Sequence, residues 1–223
     1  MRRLPGDGWL VLIGGGEFSF GETLAVDRAW LEKAPEGPVG FLPTASGSAD
    51  YYQHFAQYLD ESFERECELI PVYRARDAKR LKNAERIDKC SVIYVGGGVA
   101  DELLGTITDT PVLEALGRKL GSGGVIVAIA ASAQAFGRLA RGLFGGTSLA
   151  GLGWLPNGVI EPNFDPGHDR RFRQLMADPN VGWGLGLPPS SAVLLGPDGQ
   201  TELIGNSFLL DDVDGDFQIF GGQ

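Results

Sequence analysis

The chain has 223 residues, 43% of them hydrophobic and 22% charged, a balance found in globular rather than disordered or fibrous proteins. Its 29 acidic side chains against 19 basic ones give a net charge of −10, which repels nucleic-acid backbones and anionic lipid and argues against both as partners. Two cysteines, Cys67 and Cys90, form neither a disulfide framework nor a zinc-ligand pattern, and read as buried reduced thiols beside apolar strands.

Residues Met1 to Gly8 contain no apolar stretch of signal-peptide length, and no segment reaches the roughly 20 apolar residues that cross a bilayer. A cytoplasmic location is the resulting expectation. Trp9 to Ile13 is a continuous apolar run stopped by Gly14-Gly15-Gly16, the pattern of a strand buried on both faces. Apolar positions at helical spacing follow from Gly21 to Lys33, then a strand from Val39 to Leu42 and a helix from Ala49 to Phe63. Glu68 to Val72 predicts a third strand, and the charged stretch Asp77 to Asp88 one helix. Ser91 to Val95 runs into Gly96-Gly97-Gly98 as a fourth strand, followed by helices over Val99–Ile107 and Pro111–Leu120.

Val125 to Ile129 predicts a fifth strand that leads through Ala130-Ala131-Ser132 into a helix beginning near Ala133. Strands separated by helices imply right-handed crossovers and a parallel sheet. Beyond Gly151 the apolar runs shorten (Val159-Ile160, Ala192–Leu195, Glu202–Ile204, Phe208–Leu210, Phe217–Phe220) and predict antiparallel strands added at one edge, interrupted by a helix from Asp169 to Met176. The expected fold is a single domain over residues 1–223, a three-layer α/β structure with a mostly parallel sheet, helices on both faces and antiparallel edge strands.

In such sheets ligands bind at the carboxyl ends of the strands. Three features fall there: Gly14-Gly15-Gly16-Glu17, Gly96-Gly97-Gly98 and Ala131-Ser132-Ala133. Neither glycine triplet completes a dinucleotide or Walker fingerprint. A serine on a sharp strand-to-helix turn is lifted out of the sheet as a nucleophile, and the next N–H, that of Ala133, helps hold the oxyanion. Such a turn has small residues two positions before and after it, which here are Ala130 and Gln134. Alanine fits and glutamine is bulky there, so by residue type alone a serine that caps the following helix is the favoured reading.

The succession of Leu12 to Gly16, Phe41 to Gly47, Tyr94 to Gly98, Ser132-Ala133, Gly151 to Gly153, Val159 to Phe164 and Arg170 to Leu175 resembles the serine-peptidase family that contains dipeptidase E and cyanophycinase, whose fold is like that of class I glutamine amidotransferases. The resemblance implies Ser132 as nucleophile and Gly97 or Gly98 as second oxyanion donor. It places Asn163, followed by Phe164, where the family has its histidine base, and Gly186 to Ala192 where cyanophycinase-like members carry an acidic residue. A neutral amide cannot take the serine proton.

His168 is the candidate for a relocated base, beside Asp165 and Asp169. Those three side chains could also suggest a metal site, but ligands on one loop are usually solvated, and neither metal nor cofactor is expected. Two functions follow. In the first, the base and acid positions are replaced and the chain is a weakly active or non-catalytic binder of a small peptide-like ligand, with Gln134, Asn163 and Glu17 as binding residues. In the second, it is an active serine hydrolase of small peptides or isopeptides that uses Ser132 and His168. Homodimerisation through edge strands is compatible with either.

Overall fold

A computed structural model describes Met1, residues 3–143 and residues 147–221. The strands β1 (Trp9–Ile13), β2 (Val39–Leu42), β3 (Cys67–Leu69), β4 (Val92–Val95) and β5 (Val125–Ile129) run parallel in the spatial order β1-β5-β4-β2-β3. Between them run α1 (Leu24–Lys33), α2 (Asp50–Phe63), α3 (Ala75–Ala78), α4 (Leu81–Lys89), α5 (Ala100–Ile107) and α6 (Pro111–Gly121), and β5 is followed at once by α7 (Ala131–Ala135).

Alternate residues of each strand feed opposite faces of the sheet. Leu10, Leu12, Ile93 and Ile126 join one buried cluster, whereas Val11, Ile13, Tyr94 and Val127 join another with Trp30 of α1 and Phe55 of α2. Both faces are covered, which is why these strands read as unbroken apolar runs rather than alternating ones. The charged stretch expected as one helix is two. Buried Asn83, inside α4, donates to the carbonyl of Asp77 at 2.9 Å, and Arg80 between the helices is extended at φ −80°, ψ 118°.

The second half departs further from expectation. A short hairpin, β6 (Leu139–Arg141) and β7 (Ser148–Ala150), leads to β8 (Gly158–Pro162), then to α8 (Arg170–Met176) and β9 (Trp183–Leu187). The remaining strands are β10 (Ala192–Leu195), β11 (Thr201–Ile204), β12 (Asn206–Leu210) and β13 (Gln218–Gly221). Of these, only β10 and β11 extend the main sheet, antiparallel beside β1. A second sheet of order β13-β12-β9-β8 takes the others, so the expected placement at one edge is corrected for β8, β12 and β13.

Strand β9 escaped the sequence because its glycines resemble a turn. Their purpose is space: a Cβ on Gly184 would come within 2.5 Å of Phe172, and one on Gly186 within 2.5 Å of Phe164. Phe164, Phe172, Met176 and Phe208 form a core over this sheet. Among the described residues no helix is long and apolar enough to cross a membrane.

Candidate functional site

The parallel strands β1, β5 and β4 lie side by side, so the turns that leave their carboxyl ends meet at one edge. At the centre stands Ala130, the residue between β5 and α7. Its backbone has φ 53° and ψ −124°, a region that a residue with a Cβ adopts only under constraint, at a cost of about 1–3 kcal/mol. Hydrogen bonds on both sides impose it. The N–H of Ala130 donates to Ile13 O at 2.9 Å, and its carbonyl accepts from Ala133 N at 2.9 Å. Ala130 is therefore the apex of the strand-to-helix turn.

Around this apex lies a cavity of about 270 Å³. Gly15, Gly16, Gly96, Gly97, Ile129 and Ala130 line it on the sheet side, Asn163 closes one flank, and Thr23 and Ser46 add hydroxyls. Its wall is aromatic: Phe18, Phe41, Tyr51 and Tyr94. The Phe41 and Tyr94 rings stack with centroids 6.0 Å apart, and Phe18 meets Tyr51 edge-on at 5.0 Å. Behind Thr23 is Asp27, wholly buried, whose carboxylate accepts from Thr23 Oγ1 at 2.7 Å, Trp30 Nε1 at 2.8 Å and the Tyr58 hydroxyl at 2.8 Å. Burial, opposed by these three bonds, pushes the Asp27 carboxyl above the ordinary carboxylate range.

Asn163 reaches the cavity from the second sheet, one residue beyond β8. Its N–H donates to Gly14 O at 2.8 Å, and its φ of 50° is one that asparagine tolerates better than most side chains. A Cβ on Gly15 would fall 2.2 Å from Asn163 Oδ1, so only glycine there admits the amide. Among the described residues the Asn163 side chain makes no hydrogen bond, and neither does the hydroxyl of Tyr94, although Tyr94 is 4% exposed.

The other residues singled out in sequence are distributed differently from expectation. Ser132 lies two positions beyond the apex, inside α7, fully buried and absent from the cavity wall. Its hydroxyl donates to Gly96 O at 2.6 Å and ties the helix to the turn after β4. The placement of Ser132 at the apex is thus corrected, and with it the oxyanion role of Ala133, whose N–H is spent on Ala130 O. Ala131 is the residue that follows the apex. Gly97 lines the cavity. Gly98 does not: it packs against the backbone of Ala45, where a Cβ would come within 2.3 Å of the carbonyl oxygen.

Gln134 is buried and accepts from Arg141 N at 3.2 Å, so it braces β6 instead of facing a ligand. Glu17 sits at the cavity rim, where its carboxylate accepts from the Tyr51 hydroxyl at 2.5 Å. His168 is elsewhere. Its ring is 86% exposed, 2.7 Å from Asp165 Oδ2, and borders a second cleft that shares only Asn163 with the apex cavity; Asp169 turns to Arg173 at 2.7 Å. Sequence reasoning missed Tyr51 and Phe18, which carry no motif, the role of the Tyr94 ring, which counts in sequence only as part of the fourth strand, and Ala130, which reads as a small flank of the turn.

The cleft beside His168 contains Glu161, 7% exposed and paired with Arg141 at 2.8 Å, with its second oxygen unpartnered. Burial outweighs Arg141 and Arg171 and pushes its carboxyl up to about 7. A folded pKa above the unfolded value means that stability from this group is fully present below about 4.5 and is lost as pH rises through about 7. Glu161→Gln keeps an acceptor for Arg141 without the charge. The difference in unfolding free energy between variant and wild type should therefore grow in the variant's favour from pH 5 to pH 8, by up to about 3 kcal/mol. Chemical denaturation at each pH measures it, and a difference that does not change with pH refutes it.

The model of peptidase family S51 matches residues 10–181. No curated protein sequence matches the chain. Among solved structures, the crystal structure of a peptidase from an acI-B1 Actinobacterium is similar over 97% of this chain and 96% of its own, with a TM-score of 0.74 at 20% identity. A protein from Listeria monocytogenes EGD-e that bears the peptidase E name is similar over 88% of this chain and 97% of its own, with a TM-score of 0.65 at 16% identity. At these identities the likeness extends to the fold: a mixed α/β structure with a mostly parallel central sheet.

Proposed function

We propose, from the premise that this chain belongs to peptidase family S51, that it is a non-catalytic member which keeps the family's pocket as a binding site for a small peptide-like ligand. The observation that carries this reading is the methyl group at the apex. A turn of this geometry exists in hydrolases to present a nucleophile, and alanine presents none. The base fails with it, because Asn163, on the same cavity, stands by resemblance where the family has histidine, and a neutral amide accepts no proton.

What remains suits recognition. The Gly97 N–H has no acceptor among the described residues, and the Ala131 N–H, first in α7, lies outside the helix's own ladder, so both can meet a carbonyl or carboxylate oxygen. The unpartnered Asn163 amide adds a donor and an acceptor. The alternative, hydrolysis by Ser132 with His168 as base, gains no support: the serine is buried and the histidine is solvated in another cleft.

A fluorophosphonate probe tests the proposal directly. Wild type should remain unlabelled and should not turn over dipeptides, while Ser132→Ala should lose about 1 kcal/mol of stability, one buried hydrogen bond, with no other consequence. Mass spectrometry that finds the probe on the Ser132 peptide, or dipeptide cleavage abolished by Ser132→Ala, would overturn it.

A further inference from the structure

We propose that the cavity at the apex is selective for a small organic ammonium ion, which would sit against the Tyr94 and Tyr51 rings within reach of the Glu17 carboxylate. The inference rests on the binding-site reading above and names the ligand's chemistry. Four aromatic rings, Phe18, Phe41, Tyr51 and Tyr94, form the wall, and an aromatic face attracts a cation through its quadrupole, more strongly once water is excluded.

The charges around the wall have one sign. Glu17 is held at the rim by the Tyr51 hydroxyl, Asp27 lies behind Thr23, and no lysine, arginine or histidine side chain lines the cavity among the described residues. Both carboxylates act on Tyr94: burial first, then the negative charges of Asp27 and Glu17 among others, hold its hydroxyl well above the ordinary phenol value. The Tyr94 hydroxyl makes no hydrogen bond among the described residues, and its oxygen can accept from an ammonium N–H. A volume of about 270 Å³ corresponds to roughly nine water-sized atoms, room for an amino-acid amide. Its ammonium would face the rings while its carbonyl faces the Gly97 turn.

Three probes of one scaffold separate charge from shape: alaninamide (cationic), N-acetylalaninamide (neutral) and N-acetylalanine (anionic). Each is titrated into the full chain, with the backbone amide resonances of Gly15, Gly16 and Gly97 locating the site. Alaninamide should bind at least about tenfold more tightly than either acetylated probe. Glu17→Gln should remove most of that preference, and Tyr94→Phe, which keeps the ring, should weaken alaninamide severalfold while leaving N-acetylalaninamide unchanged. Equal or tighter binding of an acetylated probe at these glycines overturns the ammonium assignment and leaves the binding-site reading standing. No shift at these glycines with any of the three overturns both. Retention of the full preference in a folded Glu17→Gln chain also overturns the assignment.

Discussion

Ala130→Ser combined with Asn163→His is expected to give this chain a reactive serine that the wild type lacks. The turn already holds the strained φ 53°, ψ −124° that a nucleophile at this position needs, so the new hydroxyl enters a backbone built to present it. Gly97 and Ala131 supply N–H donors beside it, and residue 163 lines the same cavity. Loss of nucleophile and base in a serine triad costs about 10⁶ in rate, whereas oxyanion donors and binding alone retain about 10³–10⁴ over water. Restoring both groups should therefore allow fluorophosphonate labelling and raise hydrolysis of an activated ester about 10²-fold over wild type.

Full peptidase activity is not expected. The segment by which an acidic orienter would come, Pro188-Pro189-Ser190-Ser191, offers no carboxylate, so the introduced imidazole is left unaligned. Ala130→Ser alone should label slowly, and Ser132→Ala in the double-variant background should leave the labelling unchanged. Labelling that vanishes with Ser132→Ala would show that the reactive serine had been placed two residues wrong. A folded double variant that never labels would mean that the apex is not a nucleophile position.

Gly14→Ala should destabilise the protein by about 3 kcal/mol or more, whereas Gly105→Ala should stabilise it by about 1 kcal/mol. Gly14 follows β1 and meets the chain just beyond β8 and β9. Its N–H donates to Ser191 O at 2.8 Å and its carbonyl accepts from Asn163 N at 2.8 Å. A Cβ there would lie 2.2 Å from Pro188 O and 2.3 Å from Leu187 O. Both are backbone atoms fixed at the end of β9, so no side-chain rotation relieves the clash. Gly105 is exposed within α5 with nothing within 4 Å of a Cβ, and alanine there only narrows the unfolded ensemble. Urea denaturation of the two variants measures both signs. Gly14→Ala within 1 kcal/mol of wild type would contradict the packing described here.

Ser132 and Ala130 show why sequence alone puts the apex in the wrong place. A turn of this kind needs small residues two positions before and after it. Centred on Ser132 that rule met Gln134, whose bulk was the local warning. Centred on Ala130 it meets Ala128 and Ser132, both small and both buried. Reaction chemistry favoured the serine, but the hydrogen bond from Ala130 N to Ile13 O shows that β5 runs up to the alanine before turning.

What the sequence determined alone was the parallel half of the fold. β1, β2 and β4 are apolar runs ended by glycine or proline, and β5 is one that ends at Ala130, a local pattern that survives because both faces of the sheet are buried. It also showed that Asn163 cannot act as a base, since that follows from its side chain wherever it lies. Only the tertiary structure decided the rest. Which sheet a short apolar run joins depends on partners far along the chain, so β8, β12 and β13 could not be assigned locally. Strand β9 was hidden by glycines whose reason, the rings of Phe164 and Phe172, lies in other elements. The reach of His168 was undecidable from spacing, because a loop of five residues can point either way until packing fixes it. The aromatic wall joins Phe18, Phe41, Tyr51 and Tyr94 from separate elements, and a cavity exists only where such elements meet.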